Sequence, residues 1–255
     1  SKRNLRGLME KRAHLGSLWL RHEGVQVDAT MPGGAAGKRL RVGLVLRDAV
    51  TPADALAALP AISNLDRGRF ETVALVTSLA GGPQGLLPAE EHLLRLAERA
   101  ALLQGDLNAM IAAVRAENFD VLLFANTASS PDMFLLSLCR LGRRQVALHS
   151  CRATTGSEHM DFFVSSEPLE ARGQAQDAYT ERLVMLDGAG HARVVAPFEA
   201  QLAAPMPSEP RDHGREIRLV SGARHFKLTP QVRGTWMRLL AALPDATLAL
   251  YPFGS

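Results

Sequence analysis

Leu40-Arg-Val-Gly-Leu-Val-Leu46 is the stretch whose reading sets the architecture. One Arg and one Gly interrupt an otherwise continuous apolar run. A half-exposed strand would alternate, so this run reads as a strand covered on both faces, as in a parallel sheet. A helix start follows at Thr51-Pro-Ala-Asp54. Thr51 suits an N-cap, Pro52 the first helical position, and Asp54 the positive end of the helix dipole. That helix is expected to run to about Ile62. Strand followed by helix is the opening of a βαβ unit.

Working outward, the same alternation returns. Phe70–Thr77 reads as the second strand, and Ala80-Gly-Gly-Pro-Gln-Gly85 as a loop. Helices are expected at about 88–101 and 106–117, a third strand at Asn118–Ala125, and a short helix over Pro131–Leu141. Further strands follow at Gln145–His149, Asp161–Ser165 and Glu181–Leu186. Such alternation predicts right-handed crossovers and a mostly parallel sheet, hence an α/β fold. Upstream, Leu5, Leu8, Leu15, Leu18 and Trp19 fall at helical spacing with charges in the gaps. That is the pattern of an amphipathic helix over 5–23, with Gly16 a point where it could break. Val27–Arg39 is Gly-rich and reads as a linker.

A second linker carries Pro197, Pro205, Pro207 and Pro210. Beyond it come a strand at Glu216–Val220, a helix at about 230–242 and a strand at Thr247–Tyr251. One βαβ unit has too little sheet to build its own core, so the chain reads as cut inside a second Rossmann-like domain. The expected organisation is an N-terminal helix and linker (1–37), a first Rossmann-like domain (38–196), a linker (197–214) and the start of a second domain (215–255).

Composition narrows the function classes. The 255 residues are 47% hydrophobic, enough for a buried core and too many for disorder. Lys and Arg exceed Asp and Glu by only three, without a dense basic block, which argues against a dedicated nucleic-acid binder. Two cysteines, Cys139 and Cys151, make no disulfide framework, which fits a reducing, cytoplasmic setting. No apolar run reaches the ~18 residues of a membrane span.

Three segments carry candidate chemistry. Gln145–Phe163 (QVALHSCRATTGSEHMDFF) puts a polar loop after a strand, where ligands bind in open α/β sheets, although an ordinary polar connection would read the same. Within it, His149 and Cys151 offer a Cys–His pair for nucleophilic catalysis, while Cys139 reads as core. Ser221–Pro230 (SGARHFKLTP) places Arg224, His225 and Lys227 before a helix N-terminus, a setting suited to phosphate and equally open to a solvated basic turn. Asp48 and Thr51 follow the first strand as candidate catalytic-side residues, with a turn or cap role as the alternative. No spacing among the eight histidines is that of a zinc site, and no metal is expected.

The order of these pieces resembles the catalytic region of the O-GlcNAc transferases, glycosyltransferase family 41, which includes bacterial adhesin N-glycosyltransferases. Lys38-Arg-Leu-Arg-Val-Gly-Leu-Val45 with Asp48, Phe119-Asp-Val-Leu-Leu123, and Arg144-Gln-Val-Ala-Leu148 carry the resemblance. So do Ala153-Thr-Thr-Gly156, Met160-Asp-Phe-Phe163, Tyr179-Thr-Glu-Arg-Leu-Val-Met-Leu186 and His225-Phe-Lys-Leu-Thr-Pro230 with Trp236. No one motif is specific; the ordered set from about 38 to 253 is.

The resemblance implies a GT-B architecture of Rossmann-like domains, the second holding the nucleotide sugar. It implies an inverting transferase that needs no metal or other cofactor, with a UDP-sugar (UDP-GlcNAc or UDP-glucose) as donor. The acceptor would be a protein Ser, Thr or Asn side chain. Lys227 matches the lysine that contacts the donor diphosphate, with Arg224 and His225 beside it. His149, Ser150, Cys151, Thr154 and Thr155 match the loop against the donor sugar. Cys151 stands where the family has an aromatic residue or histidine, and Arg152 stands for its proline. The cut chain is expected to be inactive by itself. Two alternatives stay open: a non-catalytic interaction domain of glycosyltransferase ancestry, and an unrelated small-molecule binder.

Overall fold

A computed structural model of the chain describes residues 4–33, 39–47, 58, 60–77, 95–170, 173–187, 217–223 and 227–251. It divides into two compact units, Ser1–Pro197 and Phe198–Ser255.

The first unit is built on seven strands: β1 (Leu40–Leu46), β2 (Phe70–Val76), β3 (Arg99–Leu102), β4 (Val121–Phe124), β5 (Arg144–Ala147), β6 (Phe162–Ser166) and β7 (Arg182–Leu186). They lie in the order β3-β2-β1-β4-β5-β6-β7, and every pairing is parallel. The strand order reverses between β1 and β4, the Rossmann-like arrangement. The expected α/β fold is therefore the observed one.

The apolar runs earn their burial by period-two alternation. Val42, Leu44 and Leu46 of β1, Ala74 and Val76 of β2, and Leu123 of β4 enter one core. Val45, Val73, Leu75, Leu122 and Phe124 enter the other. Gly43 faces the second core. A Cβ there would meet Leu122 at 2.7 Å and Phe119 at 2.8 Å, so only glycine leaves room for the Phe119 ring.

Helices α1 (Arg6–His22), α2 (Pro60–Ser63), α3 (Leu107–Ala116) and α4 (Pro131–Ser137) complete the unit among the described residues. Asp106 caps α3 by accepting from the Ala109 N–H at 2.9 Å, and Ser130 caps α4 through the Met133 N–H at 3.2 Å. Asp120 ties strands together at their amino ends, accepting from the Arg41 N–H at 2.8 Å and from Arg143 Nε at 3.0 Å. Buried Gln145 fixes the α4–β5 connection. Its Oε1 accepts from the Leu141 and Gly142 N–H groups, and its Nε2 donates to the Cys139 carbonyl at 3.1 Å.

Three expectations are corrected here. Residues 99–101 are strand, not the end of a helix: Arg99–Leu102 pairs with Val73–Val76 as an edge strand. Hydrogen bonding to an open sheet edge outweighs the helical preference of Ala, Leu and Arg. Residues 95–98 form turns and a bend and not helix, while 88–94 lie outside the described residues, as does most of the helix expected from Thr51.

Helix α1 is unbroken at Gly16, and its leucine stripe is not its buried face. Ala13, Ser17 and Leu20 are buried, while Leu8, Leu15, Leu18 and Trp19 are exposed. Gly16 explains the choice. A Cβ there would lie 2.5 Å from Leu138 and 3.1 Å from the Phe134 ring, so the small-residue face approaches α4 more closely than leucines could.

The presumed linker also begins inside the core. Val25 and Val27 are buried, and the Val27 carbonyl accepts from the Arg140 N–H at 2.8 Å.

The second unit pairs β8 (Ile217–Ser221) in parallel with β9 (Ala246–Leu250). They are joined by helix α5 (Pro230–Ala242), which Thr229 caps through the Val232 N–H at 3.4 Å. This is the βαβ unit the sequence predicts.

Candidate functional site

The polar loop after β5 closes over the carboxyl ends of β4 and β5, where ligands bind in such sheets. Leu148 is buried, and the chain then makes one 3-10 turn over His149–Cys151. The Ser150 hydroxyl donates to the Ala125 carbonyl just beyond β4. Cys151 Sγ lies 3.7 Å from the Phe124 carbonyl and 3.8 Å from that of Ala125. Arg152 then turns the chain in the left-handed region, at φ 63°. For a side chain other than glycine that conformation costs roughly 1–2 kcal/mol. The surrounding anchors hold it.

Those anchors converge on Glu181, 2% exposed and one residue ahead of β7. Its carboxylate accepts from the Thr154 hydroxyl at 2.6 Å, the Thr155 N–H at 2.7 Å and the Thr155 hydroxyl. Thr154 Oγ1 in turn accepts from the Thr180 N–H at 3.0 Å. Gly156 follows at φ 74°, and a Cβ there would fall 2.3 Å from the Met9 backbone of α1. The loop is thus pinned from β7 on one side and pressed against α1 on the other.

Its open side faces a cleft of about 420 Å³. His149, Arg152, Ala153 and Thr154 supply one wall, and Phe163, Ser165, Glu170 and Tyr179 the other. Phe163 and Tyr179 pack with ring centroids 4.6 Å apart. Glu170 accepts from the Tyr179 hydroxyl at 2.7 Å and the Ser165 hydroxyl at 2.6 Å. Burial, and then the bond to Glu170, push the Tyr179 phenol upward, so it remains a donor. A larger hollow of about 800 Å³, lined by Glu167, Pro168, Leu183 and Met185, shares Glu170 and Ala175 with the cleft. The walls offer a guanidinium, an imidazole, a carboxylate and an aromatic edge. That mixture suits a polar ligand with one apolar face.

The candidates named from the sequence fare differently. His149 and Thr154 line the cleft. Ser150, Cys151 and Thr155 are buried, with the Ser150 and Thr155 hydroxyls committed to Ala125 and Glu181. Cys151 is enclosed, with its Sγ against the Phe124 and Ala125 carbonyls, and burial pushes its thiol up to about 12, away from the thiolate that a Cys–His pair for nucleophilic catalysis needs. Lys227 is exposed in the second unit, two residues before the Thr229 cap of α5. Asp48, Thr51, Arg224 and His225 lie outside the described residues.

Glu181, Glu170 and Tyr179 were not singled out by sequence reasoning. Glu181 and Tyr179 stand in one of the quoted motifs, but nothing local in it points to Thr154 or Thr155.

No family model matches the chain, and no curated protein matches it. Among solved structures, a mutant of the O-GlcNAc transferase from Thermobaculum terrenum is similar at a TM-score of 0.70, with 23% identity over 94% of this chain. This chain spans 44% of that structure. A putative UDP-N-acetylglucosamine 2-epimerase from Listeria monocytogenes, 12% identical over 84% of this chain and 62% of its own, reaches a TM-score of only 0.39, too low to bear on the fold. What the first likeness shows is the fold: this chain shares the Rossmann-like α/β architecture of an O-GlcNAc transferase.

Proposed function

We propose that this chain serves a glycosyltransferase reaction, moving a sugar from a UDP donor to a protein Ser, Thr or Asn side chain with inversion at the anomeric carbon. The observation that carries the reading is the His149–Gly156 loop. It is a polar segment held over the carboxyl ends of β4 and β5 by Ser150 and Glu181, in a fold shared with an O-GlcNAc transferase.

In this reading the acceptor oxygen or nitrogen forms the new bond to the anomeric carbon as the bond to the diphosphate breaks. UDP leaves with the electron pair. Charge develops on the leaving diphosphate, and Lys227 beside the N-terminus of α5 meets it with a full positive charge and an aligned dipole. In the first unit, His149 and Arg152 line the cleft and are the side chains on offer to a sugar or an acceptor there. Asp48 and Thr51 are the proposed acceptor-side groups.

Transfer of labelled sugar from UDP-GlcNAc and UDP-glucose into protein, by the longest form of the protein that contains this chain, tests this, with Lys227→Ala alongside. The variant should lose about 100-fold or more of the transfer rate while unfolding at the same midpoint. Transfer unchanged by the substitution overturns the assignment of Lys227. A competing reading, a non-catalytic interaction domain, draws on the exposed Leu8, Leu15, Leu18 and Trp19 of α1. It requires no incorporation from either donor.

A further inference from the structure

Away from the cleft, three potential metal ligands meet where the segment after α1 crosses the loop before β6. Asp28, Glu158 and His159 each direct one ligand atom into a space where all three atoms lie within 4.8 Å of one another. His159 Nε2 is 3.1 Å from Asp28 Oδ1 and 4.0 Å from Glu158 Oε1.

An acidic pair near a histidine is ordinary. The unusual feature is the imidazole. Its side chain is nine-tenths buried, and Nε2 makes no hydrogen bond: Asp28 Oδ1 is close enough but misaligned for one. That nitrogen faces the two carboxylate oxygens. One cation that accepts an electron pair from each of the three atoms would give it the partner that a buried polar atom needs.

We propose that Asp28, Glu158 and His159 form a binding site for a divalent transition-metal ion, of which Zn²⁺ is the best match. One imidazole and two carboxylates are a ligand set that Zn²⁺ accepts, with solvent in the fourth position. A tetrahedral ion with bonds of ~2.0–2.1 Å holds its ligands roughly 3.4 Å apart. The contacts of 3.1 Å and 4.0 Å bracket that spacing, so small side-chain rotations complete the site.

Arg21 now lies beside the carboxylates, 3.2 Å from Asp28 Oδ2 and 3.3 Å from Glu158 Oε1. It balances their charge but is a donor only, and cannot bind the imidazole lone pair. Its side chain is 41% exposed and free to swing into solvent as the ion enters. Bound metal would staple the segment following α1 to the loop that continues from Gly156 and Ser157. Its role would be structural, separate from any donor chemistry.

The test is Co²⁺ and Zn²⁺ titration of the chelator-treated chain, following visible Co²⁺ absorption and bound Zn²⁺ by equilibrium dialysis. One equivalent should bind, with the ligand-field bands of a tetrahedral or five-coordinate ion. Asp28→Asn and His159→Asn should each weaken binding by about ten-fold or more. Asp28 is 66% exposed, so its variant folds even where the His159 variant does not. Arg21→Gln, which removes the competing cation, should bind as tightly or more tightly. Failure to bind a stoichiometric ion, or binding indifferent to Asp28→Asn, overturns the site and shows only a carboxylate pair neutralised by Arg21.

Discussion

Glu181 and Thr155 are joined twice: one carboxylate oxygen of Glu181 accepts from both the backbone N–H and the hydroxyl of Thr155. With Thr154 on the other oxygen, a buried carboxylate has three donors and little water. Glu181→Gln places an amide N–H₂ among donors. The expected loss of stability is about 2–3 kcal/mol in urea unfolding. Hydrogen exchange at Thr155 and Gly156 should accelerate ahead of the rest of the sheet. Protection that falls uniformly would show that Glu181 is not a specific anchor of the loop.

Two glycines with nearly the same backbone angle separate strain from space. Gly24 has φ 75° and open surroundings, whereas Gly156 has φ 74° and the Met9 backbone in the path of a Cβ. Gly24→Ala should cost only the left-handed penalty, about 1–2 kcal/mol. Gly156→Ala adds overpacking and should cost about 2–4 kcal/mol in total. Equal costs would mean that the loop does not press on α1.

The choice of buried face on α1 is open to a direct check. Leu20→Ala should cost about 2–5 kcal/mol, as for a fully buried leucine. Leu15→Ala and Trp19→Ala, on the exposed stripe, should each stay within about 0.5 kcal/mol of wild type. A large loss at Leu15 would restore the face that leucine spacing alone selects.

Both thiols are held protonated by burial, Cys139 at about 11 and Cys151 at about 12, against an ordinary thiol value of 9.0. A raised folded value favours the native state fully below the unfolded value and loses that contribution as pH rises through the folded one. Stability should therefore be level toward neutrality and fall from about pH 9 upward. At pH 8 neither cysteine should react with iodoacetamide until the chain unfolds. Rapid labelling of Cys151 in the native state would contradict its enclosure and reopen a reactive role.

Much of the sheet was legible in the sequence because its strands are apolar runs bounded by turn residues. Leu40–Leu46 and Phe70–Val76 fall where the pattern puts them, and the helix capped by Asp106 does too. Arg99–Leu102 was not legible. Its helix-forming composition is overruled by a partner strand some two dozen residues earlier, which a local window cannot see. The buried face of α1 was misjudged for a related reason: hydrophobic spacing says nothing about how closely Gly16 lets α4 approach.

At the candidate site, the loop was legible from its polar residues after a strand. Its support was not, since Thr154, Thr155 and Glu181 meet only once β5, β6 and β7 are laid side by side. His159 and Asp28 were invisible as a pair for the same reason.

Calorimetric titration of UDP into the longest form of the protein that contains this chain, with Lys227→Ala beside it, tests the central claim most directly. Saturable binding of UDP is expected, weakening by about ten-fold or more when the lysine charge is removed. Absence of UDP binding by that form, or binding that Lys227→Ala leaves unchanged, would contradict the donor-diphosphate assignment.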